Sequence, residues 1–159
     1  MSLYEMGNLQ NQGFLIGNRI LELAIFAWFL AQLMKVCLEL FFQKKFNWST
    51  MFGSGGMPSS HSAFVCALAV SSGIICGLES PVFAIAAGLA VIVMYDAFNV
   101  RRAAGEHARH LNELMMEYLK EKPTAERNFK LLRESLGHTP LQVLMGALLG
   151  IGVGCLALI

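Results

Sequence analysis

Two histidines, each standing where an apolar stretch begins, are the residues of this chain best suited to chemistry. His61 closes the run Gly55-Gly56-Met57-Pro58-Ser59-Ser60-His61, and His138 opens His138-Thr139-Pro140. Glycines let backbone approach a ligand closely, and the first N–H groups of a helix have no intrahelical acceptor and sit at its positive end, which suits an anion. Ser59 or Ser60 also fits the simpler role of an N-cap. Arg101 and Arg102 follow Asp96 by about one turn and could fork phosphate oxygens, although arginine at a membrane boundary also serves topology and snorkelling. Lys35 interrupts an apolar stretch. A charge inside a membrane is costly and points to function, unless it pairs with Glu39 four residues on. Helix starts with histidines, a lysine and arginines at one end of the spans together suit the binding of a phosphate group.

The elements that must position these groups are membrane helices. Of 159 residues 55% are hydrophobic and only 14% charged, well below the roughly one quarter of a soluble domain. The apolar runs predict an all-α, polytopic membrane protein of about four transmembrane helices in a bundle, over 20–42, 62–78, 81–98 and 140–159. The polar first residues, with no small-residue cleavage site, predict that the first span is retained rather than cleaved as a signal peptide. Residues 106–137 read as a charged helical insertion. Leu111, Leu114, Met115, Tyr118 and Leu119 follow helical spacing, and a second short helix is expected from an N-cap at Thr124 to a C-terminal Gly137. With four spans, Lys44, Lys45, Arg101, Arg102, Arg109, Lys120, Lys122, Arg127, Lys130 and Arg133 share one side and Arg19 stands on the other. That bias predicts a multi-pass protein of the cell (plasma) membrane, with site and insertion in the cytoplasm.

Other classes fit less well. A net charge of +1 argues against nucleic acid. Cys37, Cys66, Cys76 and Cys155 lie in apolar stretches without ligand-like spacing, so neither a disulfide framework nor a zinc site is expected. His107 and His110 stand at i,i+3, but two ligands are too few for a metal site. Gly146, Gly150 and Gly154 form a small-residue stripe suited either to packing within one subunit or to a homodimer.

Three stretches then carry a resemblance. Pro58-Ser59-Ser60-His61, Tyr95-Asp96 through Arg101-Arg102 to Gly105, and Gly137-His138-Thr139-Pro140-Leu141-Gln142 through Gly146 resemble the divergent branch of the type 2 phosphatidic acid phosphatase superfamily, which is related to the vanadium-dependent haloperoxidases. The superfamily pattern is K-x6-RP, then P-S-G-H, then S-R-x5-H-x3-D. By similarity, Lys35 takes the lysine position without a following Arg-Pro, and Ser60 replaces the glycine of the second motif. The third motif is split, with Arg101 and Gly105 in its first half and His138 in its second. His107 offers a competing register; His138 is preferred because the Pro, Val and paired glycines that should follow occur only there. Gln142 stands where the aspartate is expected, and Asp96 could take over as orienting acid.

The resemblance implies hydrolysis of a lipid phosphate monoester or pyrophosphate through a phosphohistidine. His138 would be the nucleophile and His61 the acid. Lys35, Ser59, Ser60, Arg101 and Arg102 would hold the phosphate, with no metal or other cofactor required. The rival expectation is a protein that binds anionic lipid or assists assembly, with a degenerate site.

Overall fold

In a computed structural model, which describes residues 12–43, 56–121 and 130–159, the regular elements among the described residues are all helical. They are α1 (Arg19–Gln43), α2 (Ser60–Cys76), α3 (Pro81–Tyr95), a π-turn (Asp96–Val100), α4 (Arg101–Glu121), α5 (Pro140–Gly154) and a closing 3-10 turn (Cys155–Leu158). Three stretches, Arg19–Phe41, Pro81–Glu121 and Pro140–Leu158, are long and apolar enough to cross a membrane, and Ser60–Cys76 is a shorter apolar helix. The protein is thus a helical membrane bundle with the four apolar segments expected.

The shortest of the four lies at the centre. α2 packs against α1, α3 and α5, and small side chains let it do so: Ser62, Ala63, Ala67, Ala69, Ser71, Ser72 and Gly73 are all buried. Buried hydroxyls need partners, and here the helix supplies them. Ser71 Oγ donates to the Ala67 carbonyl at 2.7 Å and Ser72 Oγ to that of Ala69 at 2.8 Å. A surrounded helix needs no broad lipid-facing surface. The others do, and Phe29, Ile85, Val91 and Leu148 point outward from them.

The tightest seam is between α2 and α5. Side chains at Gly146 and Gly150 would collide with the carbonyl oxygens of Ser59 and Ala63, and one at Gly154 with the Val70 side chain. The glycine stripe that could have served a second copy is therefore filled from within the chain. Arg19 Nη2 donates to the Leu156 carbonyl at 2.9 Å, which brings the start of α1 to the end of α5. Gly77 (φ 89°) and the Ser80 cap turn α2 tightly into α3. The starts of α2 and α5 and the end of α3 meet at the opposite end.

The structure departs from the expected insertion. No break separates the third span from the amphipathic helix: Pro81–Glu121 runs continuously through the π-turn. The second short helix, expected from Thr124, falls partly on residues 122–129, outside the described residues, and residues 130–136 are not helical. Gly137 does have positive φ (80°), but it ends no helix. It lies on the backbone of Arg101 and Arg102, where a Cβ would not fit.

The seam gives a paired prediction. Gly150→Val should destabilise the bundle by about 1–3 kcal/mol or more, because backbone cannot yield as a side chain can. Gly152→Val, with nothing within 4 Å, should leave the melting temperature in detergent nearly unchanged. Equal melting of the two variants would contradict this packing.

Candidate functional site

The start of α2 is built around Ser59, which is fully buried. Its Oγ accepts from the Ser62 N–H at 3.4 Å and from the Ser62 hydroxyl at 2.9 Å, while its own N–H donates to the Gln142 carbonyl at 3.0 Å. Ser59 is thus an N-cap and a rivet to α5: its N–H is spent on the Gln142 carbonyl and its Oγ accepts twice from Ser62. Ser60 and His61 begin the helix proper, and their N–H groups are among those that no helical carbonyl can accept. Gly55 and the glycine-containing residues before it lie outside the described residues.

Lys35 of α1 is only 3% exposed. Gly56, at φ 96°, lies over its methylene stem; a Cβ there would stand 3.0 Å from Lys35 Cδ. Among the described residues Lys35 makes no ion pair, so the alternative pairing with Glu39 is not formed. Removing an ammonium from water without a counter-charge costs several kcal/mol. The site therefore holds a buried cation with no carboxylate paired to it among the described residues.

His138 is brought to this cation by the π-turn, whose wider hydrogen-bond pattern leaves a carbonyl free for outside use. The His138 N–H donates to the Ala97 carbonyl at 2.9 Å. Next to it Thr139 caps α5 in a reciprocal box. Thr139 Oγ1 accepts from the Gln142 N–H at 3.3 Å, and Gln142 Oε1 accepts from the Thr139 N–H at 2.9 Å. Gln142 therefore serves the cap rather than orienting the imidazole, as the sequence position had suggested. His138 is 6% exposed, and its buried Nε2 has no partner among the described residues. Burial pushes the ring's pKa down from 6.5 to about 4, and the nearby charges of Lys35, His61 and Arg101 add to the shift.

The remaining candidates divide. Arg101 lies close enough for its charge to act on both His61 and His138, and its Nε bonds Asp96 Oδ2. Asp96 thus anchors an arginine and does not reach His138, so it replaces no orienting acid. Arg102 pairs with Glu106 at 3.2 Å on an exposed face. His107 is exposed on α4, and His110 pairs with Glu113 at 3.5 Å. The fold thus unites Lys35, Ser60, His61, Arg101 and His138 and leaves Ser59, Arg102, Gln142 and His107 with other roles.

An apolar groove of about 320 Å³ opens beside His61, lined by Ile25, Trp28, Phe64, Val65 and Val93. Sequence reasoning missed it, together with the Ala97 carbonyl and Asn112. Asn112 is buried on the same face of α4 as Gly105 and Ala108, where its only signal was an amide among leucines.

The depressed imidazole has a consequence for stability. The unfolded chain takes up a proton as pH falls through 6.5, whereas the folded chain resists until about 4. Stability present above 6.5 is therefore lost as pH falls across that window. Melting in detergent at stepped pH should show a shallower decline between 6.5 and 4 for His138→Gln than for the unaltered chain; identical slopes would contradict the burial of this ring.

Comparison with known proteins places the chain in a family. The pattern described as the "Divergent PAP2 family" matches residues 16–153. The "Uncharacterized membrane protein YuiD" of Bacillus subtilis (strain 168) is 43% identical over 129 residues, covering 76% of this chain and 82% of that protein. No solved structure matches the chain. The match takes in Lys35, His61, Arg101 and His138 alike, and the chain belongs to the divergent PAP2 family.

Proposed function

We propose that this protein is a membrane phosphatase that hydrolyses a lipid phosphate monoester or pyrophosphate at the cytoplasmic face of the cell membrane. One observation carries the reading: among the described residues a buried Lys35 has no paired carboxylate, and near it lies a buried His138 whose Nε2 has no partner. Buried polar groups are normally satisfied. A tetrahedral anion would satisfy both, with Arg101 and the N–H groups at the start of α2 taking further oxygens.

In this mechanism neutral His138 attacks phosphorus through Nε2 while the ester P–O bond breaks. Protonated His61 gives its proton to the leaving oxygen. Water, deprotonated by His61, then displaces phosphate from His138. Fixed cations offset the charge on the equatorial oxygens, so the step is largely positioning and electrostatics. The low pKa of His138 keeps it unprotonated at neutral pH, as a nucleophile must be. The groove beside His61 supports a substrate with an apolar chain. The concentration of Lys and Arg on the site's side of the bundle supports the cytoplasmic orientation.

A second reading is favoured by Gln142. With its side chain spent on the cap, no carboxylate steadies the imidazolium, and the site would bind anionic headgroups without turning them over. Phosphate release from phosphatidate, phosphatidylglycerol phosphate and isoprenyl phosphates, measured on detergent-purified protein with EDTA present, separates the two. The phosphatase reading expects turnover that His138→Ala lowers by on the order of a thousandfold or more and Lys35→Met by about a hundredfold. Unchanged turnover in His138→Ala would refute it, and binding of these lipids without release would establish the second reading.

A further inference from the structure

The segment ending in His138 is laid along α4 and the π-turn as a strap, running opposite to the helix. Its fastenings come in order. Asn112 grips Leu132 in both directions: Nδ2 donates to the Leu132 carbonyl at 2.9 Å, and Oδ1 accepts the Leu132 N–H at 2.9 Å. The same Nδ2 donates to Glu134 Oε1 at 2.7 Å. At Gly105 the carbonyls of Glu134 and Leu136 occupy the space that a side chain would need. Gly137 then lies on the backbone of Arg101 and Arg102, and the His138 N–H reaches the Ala97 carbonyl.

Lengths show how much freedom this leaves. From Asn112 back to Ala97 a helix rises about 22 Å. The chain from Leu132 to His138 can reach at most about 20–22 Å when extended. A tight turn, Leu136 N–H to the Glu134 carbonyl at 2.8 Å, shortens it further. The Asn112 side chain, tilted toward the start of its helix, makes up the difference. Little slack is left between the Asn112 fastening and the His138 N–H, with the contacts at Gly105 and Gly137 between them. Asn112 is well placed to hold that end. It is 4% exposed, between Leu111 and Leu114 at 54% and 63%, and three of its four hydrogen-bonding positions are filled by the strap.

We propose that Asn112 is a positioning residue for His138: by fastening the distal end of a strap with little slack, it sets where the imidazole stands relative to Lys35, His61 and Arg101. The inference rests on reading His138 as the group that meets phosphate, but its test reads the ring itself. A released ring gains water and moves away from Lys35 on α1, His61 on α2 and the Arg101–Asp96 pair, so its titration must rise.

The experiment follows the ring resonances of His138 by NMR against pH, in the full chain in detergent. Asn112→Ala should raise the His138 midpoint by one to two pH units, leave His107 and His110 unmoved and lower kcat more than tenfold. An unmoved midpoint overturns the proposal. A raised midpoint with unchanged phosphate release supports the strap and counts instead against the phosphatase reading. Should Asn112→Ala fail to fold, two glycines inserted after Arg133 keep the Asn112–Leu132 pair and add slack; they must raise the midpoint too, and an unchanged value there overturns the proposal equally.

Discussion

The start of α2 and the start of α5 are locked together by one backbone hydrogen bond, Ser59 N–H to the Gln142 carbonyl, and by the glycine contacts beneath it. Lipid gives helices no hydrophobic reason to associate, so close backbone approach must supply the cohesion. Gly146 and Gly150 permit it by leaving room for the carbonyls of Ser59 and Ala63. Two helix starts pinned this way bring their leading residues to one place, and those residues are His61 and His138. Without the seam the histidines would belong to separate helices rather than to a site.

Electrostatics follow from that geometry. Buried Lys35 and His138 lie near His61 and Arg101, which reach the surface, and Asp96 is committed to Arg101. The result is a region short of negative charge. A soluble domain would rarely keep a buried cation without a partner; among the described residues Lys35 has none, and the proposed anionic ligand would bring its own charge. Burial, with the nearby positive charges adding to it, keeps His138 unprotonated; on the proposed reading, the arrangement that suits an anion also leaves this ring free to react with it.

Much of this was legible from residue types and spacing. The spans follow from apolar runs, and the shared end of His61 and His138 follows from counting them. Lys35 was suspicious because charge inside a span is expensive. What escaped was whatever depends on three-dimensional competition for partners. Ser59 and Gln142 look like site residues in sequence, but a helix start deep in a bundle needs its caps, and the caps took them. Asp96 and Arg102 found nearby partners in Arg101 and Glu106. The continuous helix through Asp96–Val100 left no sequence mark, because a π-turn needs no special residue. The split motif becomes intelligible only in space: Gly105 and Gly137, 32 positions apart, are the two points at which the strap lies directly on helix backbone, and together they return His138 to the side of Arg101.

The central claim, that these stretches form one anion cage, is tested most directly by a structure determined with orthovanadate. The account predicts vanadate bonded to the His138 ring, with Lys35 and Arg101 on its equatorial oxygens and His61 at the opposite apex. Vanadate seated instead against Arg102 or His107, or His61 and His138 rings too far apart to touch one anion, would contradict it.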